Sequence, residues 1–210
     1  MSPYDPAIHH RRSIRLRRFD YTRPASFFLT LCVEARRQSL GEIAEGRVVL
    51  SPIGQIVEEV WRNFPGIRPY VELDAFVVMP NHFHGILTFK DMGATRWVAP
   101  TPDVTPAKGP PARSIGAIVG QFKSVVTKRV RGLGDAGFGW QRNYYEHVVR
   151  DEYDLRRIRE YIRTNPERWT LDRENPDRTG EDEFDLWLAS IDDRSGIDMQ
   201  GRPDGSPLQF

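Results

Sequence analysis

Short apolar runs rich in aromatic and β-branched residues recur along the chain, and turn-forming residues separate them. Such runs are typical of β-strands. They predict a first strand over residues 27–34, a small hairpin of 41–43 and 47–50, a main strand over 73–79, its antiparallel partner over 82–89, and a further strand over 140–149. Pro80 and Asn81 form the turn signal that joins the strands on either side of them.

Three other segments place apolar residues at helical spacing. Each begins at a residue whose side chain can cap a helix N-terminus. The predicted helices begin at Ser51, Ser114 and Asp151 and run to Asn63, Val130 and Asn165 respectively. Because strands and helices interleave, we predict an α+β fold with an antiparallel sheet and helices packed on one face.

The remaining segments lack such periodicity. Residues 9–23 carry six arginines against one aspartate, and residues 91–112 are rich in Pro, Gly and Thr and are predicted to form a mobile loop. Residues 171–210 form a predicted acidic tail in which only the stretch FDLWLASI indicates a short helix. We therefore predict one domain over residues 1–170, followed by that tail.

Composition excludes several classes of protein. Of the 210 residues, 39% are hydrophobic and 28% are charged, as in soluble globular proteins. No apolar run approaches the ~20 residues of a membrane helix, and no signal peptide is evident. The single cysteine, Cys32, excludes an internal disulfide and a multi-cysteine zinc site. A reducing, cytoplasmic location without membrane attachment is the expectation.

The net charge of +1 conceals an uneven distribution. The segment 104–134 carries no acidic residue, whereas its predicted helix carries Lys123, Lys128 and Arg129 on the polar side. Basic segments beside an acidic tail favour a polyanionic partner such as nucleic acid. Ordinary solvated surfaces would give the same pattern, so charge alone leaves both interpretations open.

Two histidines stand one residue apart in the stretch VVMPNHFHGILTF. Side chains alternate between the faces of a strand, so His82 and His84 lie on one face and Phe83 and Gly85 on the other. Two imidazoles on one face can bind one divalent ion. Core histidines held by hydrogen bonds would fit the same spacing, and a third ligand or a catalytic partner is needed to decide.

The last predicted helix supplies candidates for that role. Tyr161 and Asn165 are four residues apart, hence neighbours on one helix face, at the edge of the apolar stripe that faces the sheet. The amide oxygen of Asn165 is a hard ligand suited to Mg²⁺ or Mn²⁺ beside imidazoles. The hydroxyl of Tyr161 can act as a nucleophile, although a packing tyrosine would fit the same position.

The stretches MPNHFHGIL and YIRTNP together resemble the REP-associated tyrosine transposases, a branch of the single-tyrosine HUH transposases that act on single-stranded DNA. The resemblance includes VGQFKSVVTKRV and WQRNYYEHVVRDEYDLRRIREYIRTNP and spans residues 27–169. It implies a ferredoxin-like, RRM-like fold. It also implies that His82 and His84 are metal ligands, that Tyr161 is the nucleophile, and that Asn165 is the third ligand, where some relatives carry glutamine.

The function implied by the resemblance is cleavage and rejoining of single-stranded DNA at REP-like hairpins. The reaction would use Mg²⁺ or Mn²⁺ and a 5′-phosphotyrosine intermediate, in a monomer or homodimer that associates with the nucleoid when it binds DNA. The predicted DNA-binding residues are Arg11, Arg12, Arg15, Arg17, Arg18, Lys123, Lys128 and Arg129.

Two other functions stay open at the level of sequence. The histidines could support phosphodiester hydrolysis with water as the nucleophile and Tyr161 in a structural role. Alternatively, the protein could be a non-catalytic module that binds hairpins. The acidic tail has no assigned role, and shielding of the DNA site in cis is one hypothesis.

Overall fold

The computed structural model of the protein describes residues 25–90 and 114–198, with side chains up to residue 191. The basic segment with Arg11, Arg12, Arg15, Arg17 and Arg18, and the predicted loop over 91–112, lie outside the described residues.

Strands and helices interleave along the described chain. Their order is β1 (Ser26–Cys32), β2 (Gly41–Ala44), β3 (Arg47–Leu50), α1 (Pro52–Arg62), the short α2 (Phe64–Ile67), β4 (Val71–Val78), β5 (His82–Phe89), α3 (Ile115–Gly132), β6 (Tyr145–Val149), α4 (Glu152–Thr164) and α5 (Glu183–Asp198). None of the described helices is long and apolar enough to cross a membrane.

The main sheet has the strand order β4-β5-β1-β6, and every neighbouring pair is antiparallel. The hairpin of β2 and β3 forms a separate two-stranded sheet. The predicted α+β class with an antiparallel sheet is confirmed. Strand β1 reads SFFLTLC because it lies between two neighbours and is buried along almost its whole length.

One face of the sheet packs against α1 and α3. Phe83 of β5 lies 4.7 Å from Trp61 and 5.5 Å from Phe122, measured between ring centroids. Gly85 makes this packing possible, because a Cβ there would lie 2.7 Å from the Phe83 ring and 2.8 Å from that of Trp61. The side chains at 83 and 85 therefore point to this face, and His82 and His84 point to the other.

The other face is also covered by helices, and in this the structure differs from the predicted arrangement. Phe28 and Ile86 of the sheet pack with Ile158 of α4 and Phe184 of α5. The sequence prediction placed all helices on one face, whereas α1 and α3 lie on one face and α4 and α5 on the other. The domain boundary at residue 170 remains a prediction, while α5 packs directly against the sheet.

Local sequence patterns correctly predicted most of the strands and helices. The side chains of Ser51, Ser114 and Asp151 accept hydrogen bonds from backbone N–H groups three residues further on, which confirms all three predicted N-caps. The predicted strand over 140–149 is shorter than expected, since β6 begins at Tyr145. Trp140 forms only an isolated bridge with Val33.

Candidate metal and nucleophile site

The two histidines lie at the centre of the sheet. His82 and His84 are 0% and 1% exposed, and they pair across the sheet with Cys32 and Thr30 of β1. Charged groups are costly to bury at such a place. Burial, together with the neighbouring His84, lowers the pKa of His82 to about 3, so its imidazole is neutral at pH 7.

Hydrogen bonds to Nδ1 fix the orientation of both rings. His82 Nδ1 lies 2.8 Å from Asn81 Oδ1, and the Asn81 amide is itself held by donation to the carbonyl oxygen of Glu174. Because Asn81 Oδ1 can only accept, His82 carries its proton on Nδ1 and presents an unprotonated Nε2. His84 Nδ1 lies 3.0 Å from the Thr30 hydroxyl, which can accept or donate.

The two Nε2 atoms consequently meet, at a separation of 2.9 Å. Two nitrogen ligands about 2.1 Å from one ion, at right angles to each other, would lie roughly 3 Å apart. The rings are therefore oriented as a pair of ligands to one cation would be. The outer Nδ1 partners correspond to the hydrogen bonds that commonly hold metal-binding histidines in place.

Asp172 completes this group, and sequence reasoning missed it. Its Oδ2 lies 3.6 Å from His82 Nε2 and 3.9 Å from His84 Nε2. The carboxylate is 0% exposed, and burial alone would raise its pKa. The two histidines and the Asn165 amide instead hold the pKa of Asp172 below its usual range. Among the described residues, these three side chains form the group able to hold a metal ion.

Asn165 lies beside this group, at the C-cap of α4. It is 1% exposed, and its Nδ2 donates a 2.7 Å hydrogen bond to Asp172 Oδ2. Its Oδ1 is buried without a hydrogen-bond partner within the described part of the chain. A buried amide oxygen without a partner suits a cation, and the assignment of Asn165 as third ligand remains a prediction.

Tyr161 extends from α4 to the same point. Its hydroxyl lies 3.3 Å from His84 Nε2 and donates to Asp172 Oδ2 over 3.4 Å. Burial raises the pKa of the phenol well above 10, and the carboxylates of Asp172, Asp185 and Asp182 raise it further. The structure thus brings Tyr161 and the two histidines together, as the sequence predicted. With its pKa raised in this way, the phenol is protonated at pH 7.

Helix α5 covers this phenol. The ring of Phe184 stacks on that of Tyr161 with centroids 3.9 Å apart and planes 11° from parallel. Phe184 and Leu188, one helical turn apart, are both buried, and Tyr161 is only 2% exposed. The Phe184 ring therefore shields one face of the Tyr161 ring from solvent.

Phe184→Ala is expected to expose Tyr161. Loss of the stacked ring removes the contact that closes α5 over the phenol and lowers the free energy of unfolding by about 3 kcal/mol. We expect faster nitration of Tyr161 by tetranitromethane, mapped by mass spectrometry, with no change at the exposed Tyr153. The matched control is Leu186→Ala, on the same helix but 56% exposed. Equal nitration of Tyr161 in both variants would mean that Phe184 is not the cover.

The predicted basic residues of α3 lie away from this site. They project from a helix on the opposite face of the sheet from His82. Lys123 donates to the carbonyl oxygens of Gln141 and Asn143, and Arg129 forms a 2.7 Å ion pair with Glu59. Their predicted contact with DNA stays a prediction.

The polar residues of β6 and of the start of α4 are not among the candidate metal ligands of the described chain. His147 Nε2 is 3.7 Å from Asp154 Oδ2, and this pair occupies β6 and the start of α4. Neither Asp154 nor Glu146 belongs to the ligand group among the described residues.

Comparison with known proteins identifies a relative by sequence. The chain is 38% identical over 173 residues to an uncharacterized protein of Haemophilus influenzae strain Rd, a match that covers 81% of this chain and 96% of the relative. The two chains belong to one family. No protein-family model matches the sequence.

A solved structure confirms the fold implied by the resemblance. It is that of a REP-associated tyrosine transposase bound to a REP hairpin, with a TM-score of 0.51, 22% identity and coverage of 74% of each chain. A structure from Deinococcus radiodurans R1 matches with a TM-score of 0.40 and 18% identity, covering 71% of this chain and 95% of the other. That second likeness is too low to support an inference.

Proposed function

We propose that this protein is a transposase that cleaves and rejoins single-stranded DNA through a covalent bond to Tyr161, with a divalent metal. One observation carries the proposal: the Tyr161 hydroxyl lies within 3.4 Å of both His84 Nε2 and Asp172 Oδ2, two members of a candidate metal site. A tyrosine with only a packing role has no need to place its hydroxyl against two metal-ligating groups. The fold shared with a tyrosine transposase agrees with this.

The donor atoms fit Mg²⁺ or Mn²⁺. Two imidazoles and a carboxylate converge, and the amide oxygen of Asn165 has no hydrogen-bond partner within the described chain. His82, His84 and Asp172 would hold the ion, with Asn165 as a further oxygen ligand. When bound, the cation would polarise the scissile phosphate and stabilise negative charge on its oxygens.

The chain's own part in the reaction is nucleophilic. The Tyr161 oxygen attacks the phosphorus, a bond from phosphorus to that oxygen forms, and the bond to the 3′ oxygen of the preceding nucleotide breaks. The phenol proton passes to water as that bond forms, and the departing 3′ oxygen takes a proton from water. The 5′-phosphotyrosine ester conserves the broken bond, so a 3′-hydroxyl can reverse the step without ATP.

We further propose that the substrate is a single strand beside a hairpin. Attack on one strand requires an unpaired phosphodiester that can bend into the site. The solved transposase of the same fold is bound to a REP hairpin, which makes REP-like hairpins the first substrates to test. The protein would act as a monomer or homodimer.

One observation favours hydrolysis as the alternative. Tyr161 is buried beneath Phe184, and its raised pKa makes its phenol a poor nucleophile as it stands. Water could then attack the phosphate at the same metal, and no covalent intermediate would form.

A covalent-capture assay separates the two functions. The protein is incubated with single-stranded hairpin oligonucleotides labelled at the 3′ end, with Mg²⁺ or Mn²⁺, and resolved on a denaturing protein gel. We expect a labelled protein band that EDTA abolishes. The same oligonucleotide labelled at the 5′ end should give a shortened free strand and no labelled protein. Metal-dependent cleavage without any labelled protein would replace strand transfer with hydrolysis.

A further inference from the structure

A second polar site lies on the opposite face of the sheet from the histidines. An open groove of about 700 Å³ runs between α3 and the segment that leads into β6. We call it the α3 groove. Its charged lining consists of Lys123, Lys128, Arg131 and Arg142 against the single carboxylate of Glu34. Neither the metal site nor the nucleophile uses this groove.

Two of these cations build the walls of the groove. Lys123 Nζ donates to the carbonyl oxygens of Gln141 and Asn143 over 2.8 and 2.9 Å, which ties α3 to the opposite wall. Arg131 Nε donates to the carbonyl oxygen of Phe138 in the same way. Burial lowers the pKa of Lys123 to about 8, so a nearby anion would stabilise its charged form.

The other two cations of the groove have no bonding partner within the described chain. Lys128 and Arg142 are exposed, and within the described chain neither takes part in an ion pair or a side-chain hydrogen bond. By contrast, Arg129 is neutralised by Glu59 at 2.7 Å, and Arg62 is held by Glu58 at 2.8 Å. Lys128 and Arg142 thus face the groove without a carboxylate partner within the described chain, whereas Arg129 and Arg62 lie outside it and are paired.

The groove opens at the same end of the sheet as the metal site. Gln141, in its wall, donates its backbone N–H to the carbonyl oxygen of Cys32, and Cys32 pairs with His82. Two strand spacings of about 4.8 Å therefore separate the groove wall from the strand that bears the histidines. A nucleic-acid strand that leaves the groove around the sheet edge would reach the site within a few nucleotides.

The chemistry of the lining favours a phosphate backbone. Cations spaced along an open groove, with the hydroxyls of Ser124 and Thr127 between them, match a row of phosphates. The one aromatic residue in the lining, Trp140, is only 9% exposed, so it offers no face on which a base could stack. Contacts of this kind position a nucleic acid without reading its sequence.

We propose that the α3 groove binds the sugar-phosphate backbone of the DNA that adjoins the strand delivered to Tyr161. The proposal rests on the proposed function for its substrate, but it concerns a separate surface. The bound phosphates belong either to the hairpin stem or to its single-stranded flank, and the test below separates these sources.

The test is DNA affinity as a function of salt. Lys128→Gln/Arg142→Gln in the full chain is compared with wild type by fluorescence anisotropy of a labelled hairpin with a single-stranded flank, in EDTA. Each lost phosphate contact should reduce the magnitude of the slope of log affinity against log salt concentration by about 0.7 to 0.9. Two lost contacts should weaken DNA binding about 30-fold in 0.1 M salt. A blunt hairpin and an isolated flank, measured separately, show which part fills the groove.

The control is Arg62→Gln/Arg159→Gln, which removes the same net charge from cations that are already paired outside the groove. We expect wild-type slope and affinity within about twofold. An equal loss in both double variants, or no loss in the groove variant, would overturn the proposal. A wild-type protein that binds DNA through the groove without forming a covalent adduct would refute the proposed function and leave this inference standing.

Discussion

Tyr161→Phe is expected to abolish covalent capture of DNA while leaving the fold and DNA affinity intact. Only the hydroxyl is lost, and the ring keeps its stacking on Phe184 and its edge contact with Phe28. The hydroxyl makes only long contacts, at 3.3 and 3.4 Å, so stability should change by about 1 kcal/mol or less. Without the nucleophilic oxygen, adduct formation should fall at least roughly 1000-fold.

The matched control for this substitution is Tyr145→Phe. Tyr145 also contacts Phe28, with ring centroids 6.4 Å apart, but it lies on β6 and its ring faces the Arg173 guanidinium. We expect wild-type adduct levels in that variant, measured as the labelled protein band. A reversal of the two results would make Tyr145 the nucleophile. Unchanged DNA cleavage in Tyr161→Phe would instead indicate that water attacks the phosphate.

The second large effect concerns Asp172. Asp172→Ala is expected to lower Mn²⁺ affinity at least 100-fold, since it removes the only anionic ligand of the group, whereas Asn165→Ala should cost about tenfold. Isothermal titration calorimetry without DNA measures both. Asp74→Ala is the control, because that carboxylate pairs with Arg159 outside the site. We expect wild-type affinity in this control.

Stability must be measured alongside this affinity. Asp172 accepts hydrogen bonds from the Asn165 amide, the Glu174 N–H and the Tyr161 hydroxyl, and buried donors without partners cost about 1–3 kcal/mol each. Thermal unfolding in EDTA therefore comes first, with Asp172→Asn as a second variant if the alanine variant is unfolded. A larger loss of Mn²⁺ affinity in Asn165→Ala than in Asp172→Ala would make Asn165 the principal third ligand and contradict our ranking.

Much of this site was predictable because its parts follow local rules. The alternation of side chains along 82–89 placed both histidines on one face, and β5 has the predicted bounds. Helical spacing from the Asp151 cap placed Tyr161 and Asn165 on one face of α4, and both are buried beside the histidines. Each of these inferences depended only on the periodicity of a single strand or a single helix.

Asp172 and the packing of α5 against the sheet were not predictable in the same way, although FDLWLASI did indicate a helix. Asp172 follows Asn165 through an irregular turn, and no periodicity indicates where a residue beyond such a turn will point. It also opens a stretch dominated by carboxylates, which is typical of a solvated surface. The apolar pair Phe184 and Leu188, one turn apart, was the available signal that this stretch has a buried side.

The cover formed by α5 has a thermodynamic consequence for substrate binding. If DNA reaches Tyr161 only in molecules in which α5 has lifted, the observed dissociation constant is the intrinsic one divided by the fraction of open molecules. If about one molecule in a hundred were open, binding would be about 100-fold weaker, which corresponds to about 2.7 kcal/mol. By reciprocity, DNA held at Tyr161 would pull α5 into the open population by the same factor.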